Sequence, residues 1–376
     1  MKQILLLLTL VPVFAFAGPM YSPTWGFSLD LPEGYEYAEG DGRDRFSFCG
    51  PGDAMFDLVV YNGNYANLNQ LVNDVNRKIQ NRGNVDFFQY NDKQAAMIKL
   101  IFGDYDGWGI AVELEGGSAE RGSKPMLIAL AYSPADNANE LGWLHMSALD
   151  SIAPSAAERR YPGPIVEYSF PRGDVKPVLI PAAGANVIMR ENDEKAAQFL
   201  IEREYNILKY YFNSPYMQAA WVRYYRFIYR DSFARINKAV SAIAQNLGGY
   251  SASTEEEKRA FAQRALSFVQ DFKYERGLSE SDFLNLVTAV TESRGDCDSR
   301  AMLWAIILAN TNIRSAFMVS QKYSHAMGLA EIAGNGIHFE LYGISWIVAE
   351  TTANLEIGLI AQDVSDPRNW LGIVFE

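Results

Sequence analysis

The chain has 376 residues, 49% of them apolar and 13% aromatic. That is enough to fill two cores and excludes wholesale disorder. Its net charge of −12 repels phosphate backbones and anionic lipid, so nucleic acid and acidic membrane surfaces are poor partners.

In chain order, the first element is a targeting segment. Lys2 supplies a positive start, Ile4 to Phe16 is an apolar run, and Ala15-Phe16-Ala17 has the small-residue pattern of a cleavage site. Residues 1–17 therefore read as a signal peptide, too short to span a bilayer, which takes about 20 apolar residues. An uncleaved anchor is the alternative. The mature protein is expected in a periplasm or outside the cell, without stable membrane insertion.

Residues 20–155 read as an N-terminal α/β domain of sandwich type. Strand-like runs recur at residues 26–31, 55–61, 95–102, 108–114 and 125–132, several of them alternating apolar and polar residues. Leu68, Leu71, Val72, Val75 and Ile79 share one helical face, as do Leu141, Leu144, Ala148, Leu149 and Ile152. A sheet with helices on one face satisfies this pattern. The opening phrase Gly26-Phe27-Ser28-Leu29-Asp30-Leu31-Pro32-Glu33-Gly34-Tyr35 resembles the start of photosystem PsbP-like domains.

Residues 156–190 form a connector. Pro162, Pro164, Pro171, Pro177 and Pro181 crowd it, which predicts an extended, stiff strap without helix. A helical segment follows at residues 191–250. Asn192 or Asp193 caps one helix, and Ser214-Pro215 opens a second that stops at Gly248-Gly249. The second carries the stripe Trp221, Tyr224, Tyr225 and Phe227, which at helical spacing reads as packing. Thr254 with Glu257 makes a capping box for a third helix, expected to end near Gly277.

Residues 251–376 hold the chemistry. Gly295-Asp296-Cys297 precedes an apolar run from Met302 to Leu308, so Cys297 sits at a helix start. Unpaired N–H groups and the positive end of the helix dipole favour a thiolate there. A thiol nucleophile needs a base, and the chain has three histidines. His145 falls on an amphipathic helix and His338 inside a strand. His325 opens the strand Ala326 to Ile332, where it can face a helix N-terminus across a cleft. Glu350, after the apolar run Ile344 to Ala349, is placed to orient the imidazole. Glu340 is the alternative acid, because a strict three-strand meander would carry Glu350 away from His325.

These residues resemble the transglutaminase-like superfamily: a G-x-C at a helix start, a histidine opening a strand, then an acid after an apolar strand containing Trp346. The likeness spans residues 255–360 and departs from the family in having Glu350 where Asp is usual. It implies an α+β chain whose C-terminal part is a papain-like core, a cysteine helix packed on an antiparallel sheet. It also implies acyl transfer through a thioester on Cys297, with protein or peptide amides as substrates. Water as acceptor gives a protease or amidase; an amine gives a transglutaminase. The backbone N–H of Cys297, with Gln270 or Tyr274, is the expected oxyanion donor set.

Two readings compete with catalysis. Cys297 could be structural, for instance in a disulfide with Cys49, as exported pairs often are. Alternatively, the fold could be a non-catalytic module that binds protein or glycan. The chain has no H-E-x-x-H, no C-x-x-C, no phosphate loop and no dinucleotide fingerprint, so neither metal nor cofactor is expected.

Overall fold

The computed structural model describes residues 18–115, 124–171 and 173–375. The proposed signal peptide, residues 1–17, lies outside the described residues. The chain is of mixed α+β type and divides into two compact units, one ending at Leu149 and the other beginning at Asp150.

The first unit opens with a small pair, β1 (Met20–Tyr21) and β2 (Ser28–Leu29). Seven strands then build one antiparallel sheet: β3 (Glu36–Gly40), β4 (Arg45–Cys49), β5 (Met55–Tyr61), β6 (Val85–Tyr90), β7 (Lys93–Phe102), β8 (Tyr105–Glu113) and β9 (Met126–Pro134). Their order is β3-β4-β5-β9-β8-β7-β6. Helix α1 (Leu68–Lys78), capped by the Asn67 side chain, lays Leu68, Leu71, Val72 and Val75 against Ile98, Leu100, Ala111 and Ile128. The other face of the sheet is buried too, where Phe27 and Tyr35 pack on Phe46 and Phe56. Helices on one face alone, as the sequence suggests, do not account for the core. Helix α2 (Gly142–Asp150) closes the unit and carries His145. Burial lowers the pKa of His145 to about 4, which fits a packing role.

The second unit begins where the sequence predicts a strap, and it is not one. Helix α3 (Pro164–Ser169) forms there because Pro164 occupies the first helical position, where a missing N–H costs nothing. Strands β10 (Val175–Ile180) and β11 (Ala185–Arg190) pair as an isolated hairpin, whose free edges tolerate Pro177. Helices α4 (Asp193–Tyr210), α5 (Met217–Asn246) and α6 (Glu255–Gln270) follow. Helix α6 stops before Gly277, because Lys273–Tyr274 (β12) turns out to pair in parallel with Arg294–Gly295 (β13). Between them lies α7 (Leu286–Glu292), and α8 (Cys297–Asn310) follows β13 directly.

The second sheet has five strands: β14 (Ser315–Ser320), β15 (His325–Ala330), β16 (His338–Leu341), β17 (Ile344–Ala349) and β18 (Leu371–Val374). Its order is β16-β17-β15-β14-β18. Helix α8 is buried along its length from Ala301 to Leu308 and packs on β14 and β15. Helices α5 and α6 cover its other sides. Arg203 pairs with Asp150 and Glu204, and Arg223 with Glu204, tying α4 and α5 together through fully buried charges. Among the described residues, no helix is long and apolar enough to cross a membrane.

Candidate active site

The turn that presents Cys297 is set by local rules. Ser293 ends α7 in the left-handed conformation at φ 52°. Pairing of β12 with β13 brings Tyr274 opposite Gly295. Asp296 then caps α8: its carboxylate accepts from the Ser299 N–H at 2.7 Å, and the Asp296 N–H donates to Ser299 Oγ at 3.0 Å. Cys297 is thus the first residue of α8, 7% exposed. Gly328 on β15 lets this helix approach the sheet, since a Cβ there would lie 2.4 Å from the Trp304 ring. The Trp304 indole N–H donates to the Ala262 carbonyl on α6 at 3.0 Å.

Sheet order brings His325 and Glu350 together. Strand β17 lies directly beside β15, with Ala349 opposite Gly328, and β16 sits on the outer edge. Antiparallel pairing therefore brings the end of β17 to the start of β15. Glu350 Oε2 lies 2.8 Å from His325 Nε2. Its Oε1 accepts from the Thr352 N–H and hydroxyl, both at 2.7 Å. Burial would raise the Glu350 pKa, but the hydrogen bonds from His325 and Thr352 outweigh it and hold the carboxyl below its ordinary range. Glu340 is exposed on the edge strand, with β17 between it and β15, so it does not serve. His338, on the same strand, bonds the Gly336 carbonyl at 3.0 Å.

Cys297 and His325 line one cavity of about 330 Å³, with Trp221, Tyr224 and Tyr225 of α5 on its wall. The aromatic stripe is therefore packing on one side and cavity lining on the other. Sγ donates to Asp298 Oδ1 at 3.6 Å. Asp298 Oδ2 accepts from the Tyr225 hydroxyl at 3.0 Å.

The electrostatics run against the expectation of an easily formed thiolate. Burial, then the charges of Asp298 and Asp296, push the Cys297 thiol well above its ordinary range. Burial also raises both carboxyls, each aided by a neighbouring acid: Asp282 beside Asp296, and Asp296 beside Asp298. Cys49 and Cys297 are both free thiols, one exposed and one buried, so the disulfide alternative is not realised.

The two expected oxyanion side chains are elsewhere. Gln270 donates to the carbonyls of Glu350 at 2.8 Å and Leu355 at 3.0 Å, which commits its amide to holding the acid's backbone. Tyr274 is half exposed and does not line the cavity; its ring lies 5.5 Å from the Arg300 guanidinium. Three residues escape sequence reasoning. Asp298 is adjacent to Cys297 but looks like a helix-start acid. Tyr225 is hidden in a packing stripe. Arg300 reads as a surface charge on α8, yet it is buried.

No family model matches this chain, and no curated protein matches it. Among solved structures, a crystal structure of a "putative protease" from Parabacteroides distasonis aligns at a TM-score of 0.23 and 10% identity, covering 83% of this chain and 68% of that one. A likeness at that score carries no argument about fold or chemistry.

Proposed function

We propose that the chain is an exported, transglutaminase-like cysteine protease, amidase or acyltransferase acting on protein or peptide amides. In this reading, residues 251–376 form a papain-like catalytic core and residues 20–155 an α/β domain that holds substrate or a partner. The observation that carries it is the 2.8 Å contact of Glu350 with His325 Nε2, on the cavity that also holds Cys297. With Nε2 committed to Glu350, Nδ1 is the nitrogen left for the thiol. The thiol proton passes to Nδ1 and the sulfur attacks the amide carbon. The Cys297 N–H, one of the first-turn amides without an intrahelical acceptor, stabilises the oxyanion. Collapse breaks the C–N bond, and the leaving amine takes the proton from His325. Water or a second amine then attacks the thioester, giving its proton to His325, and the thiol is regenerated.

One observation favours the rival, non-catalytic binding module: the thiol is buried beside carboxylates that oppose its ionisation. The two readings separate in one experiment. The full-length protein is incubated with casein and a fluorescent primary amine, and peptide release, amine incorporation and acyl mass on Cys297 are followed. Catalysis predicts at least one product, a trapped acyl-Cys297, and loss of both in folded Cys297→Ala and in His325→Ala. Product formation that survives Cys297→Ala rules it out.

A further inference from the structure

The sulfur of Cys297 is held by its neighbour on α8. It donates to Asp298 Oδ1 at 3.6 Å, within range for a sulfur donor. Asp298 cannot swing away, because Oδ2 accepts from the Tyr225 hydroxyl at 3.0 Å. Tyr225 is itself buried, its ring 4.8 Å from that of Phe317 and 6.4 Å from that of Phe283.

The charges around the cavity leave this carboxylate unanswered. On the loop after β12, Asp282 pairs with Arg276 at 2.6 Å, and Glu280 pairs with Lys209 of α4. On α8, Arg300 is spent on backbone carbonyls and Asp296 on its own cap. Helix α5 contributes Tyr224 and Tyr225, α4 contributes Tyr205, and β15 contributes His325, while Tyr274 of β12 stands outside the cavity. Among the described residues, no ion pair reaches Asp296 or Asp298.

We propose that Asp298, fixed by Tyr225, is a positioning residue that keeps the Cys297 thiol protonated at rest by competing with His325 for the same proton. The inference rests on reading Cys297 as the nucleophile. Full reactivity then requires the Asp298 contact to be broken or its charge cancelled, and a cationic group entering the cavity would do the latter. The enzyme is held idle until something occupies the pocket, which suits a protease or acyltransferase surrounded by other proteins.

The test is the iodoacetamide alkylation rate of Cys297 from pH 6 to 10, read by mass spectrometry in the full-length protein, with Cys49 as the internal control. Asp298→Asn keeps the shape and the Tyr225 contact but removes the charge. Its alkylation profile is expected to move down by about one pH unit or more, with a rate at pH 8 about tenfold higher. Asp298→Glu should stay on the wild-type curve, and Cys49 should not respond. A profile for Asp298→Asn that coincides with wild type overturns the inference. So does an equal shift in Asp298→Glu, which would mean mere loosening of packing. The infrared S–H stretch of the wild-type protein provides a check that needs no variant: at pH 8 the Cys297 band should persist and lie below that of Cys49, and its absence counts against the proposal. His325→Ala keeps the two readings apart. A flat response there removes the catalytic reading, while the Asp298→Asn shift still decides this one.

Discussion

Arg300 donates to four backbone carbonyls: Gly295 at 2.9 Å, Gln270 and Thr351 at 3.4 Å each, and Phe272. Those carbonyls belong to the turn before Cys297, the end of α6, the approach to β12 and the segment after Glu350. One guanidinium therefore sets the spacing between Cys297 and Glu350. Charged hydrogen bonds contribute about 1.5–3 kcal/mol each, and burying their orphaned acceptors costs more. Arg300→Met should lower unfolding free energy by about 3 kcal/mol or more in urea titration, and His325 and Glu350 should lose their fixed relation. At this scale, the placement of Cys297 at a helix start and of Glu350 beside His325 was legible, because residue type and chain order point to it. Gln270, Tyr274, Asp298 and Arg300 were misread or missed. The direction in which a long polar side chain points depends on which carbonyls and charges the fold brings near it.

Elements with strong local signals were legible at once. Thr254 caps α6 as its spacing with Glu257 predicts, and Cys297 opens α8. The proline-rich stretch shows the opposite: prolines forbid helix interiors but not first turns or free strand edges. The α8–β15 contact was invisible, because it depends on Gly328 meeting Trp304 across 24 residues of sequence. Gly328→Ala places a Cβ 2.4 Å from the Trp304 ring, and overpacking of this kind costs about 1–3 kcal/mol. Thermal unfolding should show that loss, and Trp304→Leu added to it should recover part of the loss. Equal stability of Gly328→Ala and wild type would refute the close-contact account.

For the whole molecule, the site's buried acids make stability depend on pH in two senses. Glu350 has a lowered pKa in the fold, so the stability it contributes is present above its ordinary value of 4.5 and lost as pH falls below it. Asp296 and Asp298 have raised values, so what they contribute is present at low pH and lost as pH rises, up to about 7 for Asp298. Stability should therefore peak in mild acid. The unfolding midpoint is expected to fall between pH 5.5 and pH 8, and Asp298→Asn should shrink that fall. A midpoint that rises toward pH 8 would show that these acids are not buried as described.

The amino-acid sequence by itself determined the mixed α+β character, the starts of α4, α6 and α8, and the chain order of Cys297, His325 and Glu350, because periodicity, caps and residue chemistry are local. Tertiary structure decided the rest. A strand order of β16-β17-β15, rather than a meander, put Glu350 beside His325, and no local rule selects between those orders. Burial between α5, α8 and the sheet raises the thiol's pKa, because desolvation and neighbouring charge arise only when distant segments close around the sulfur.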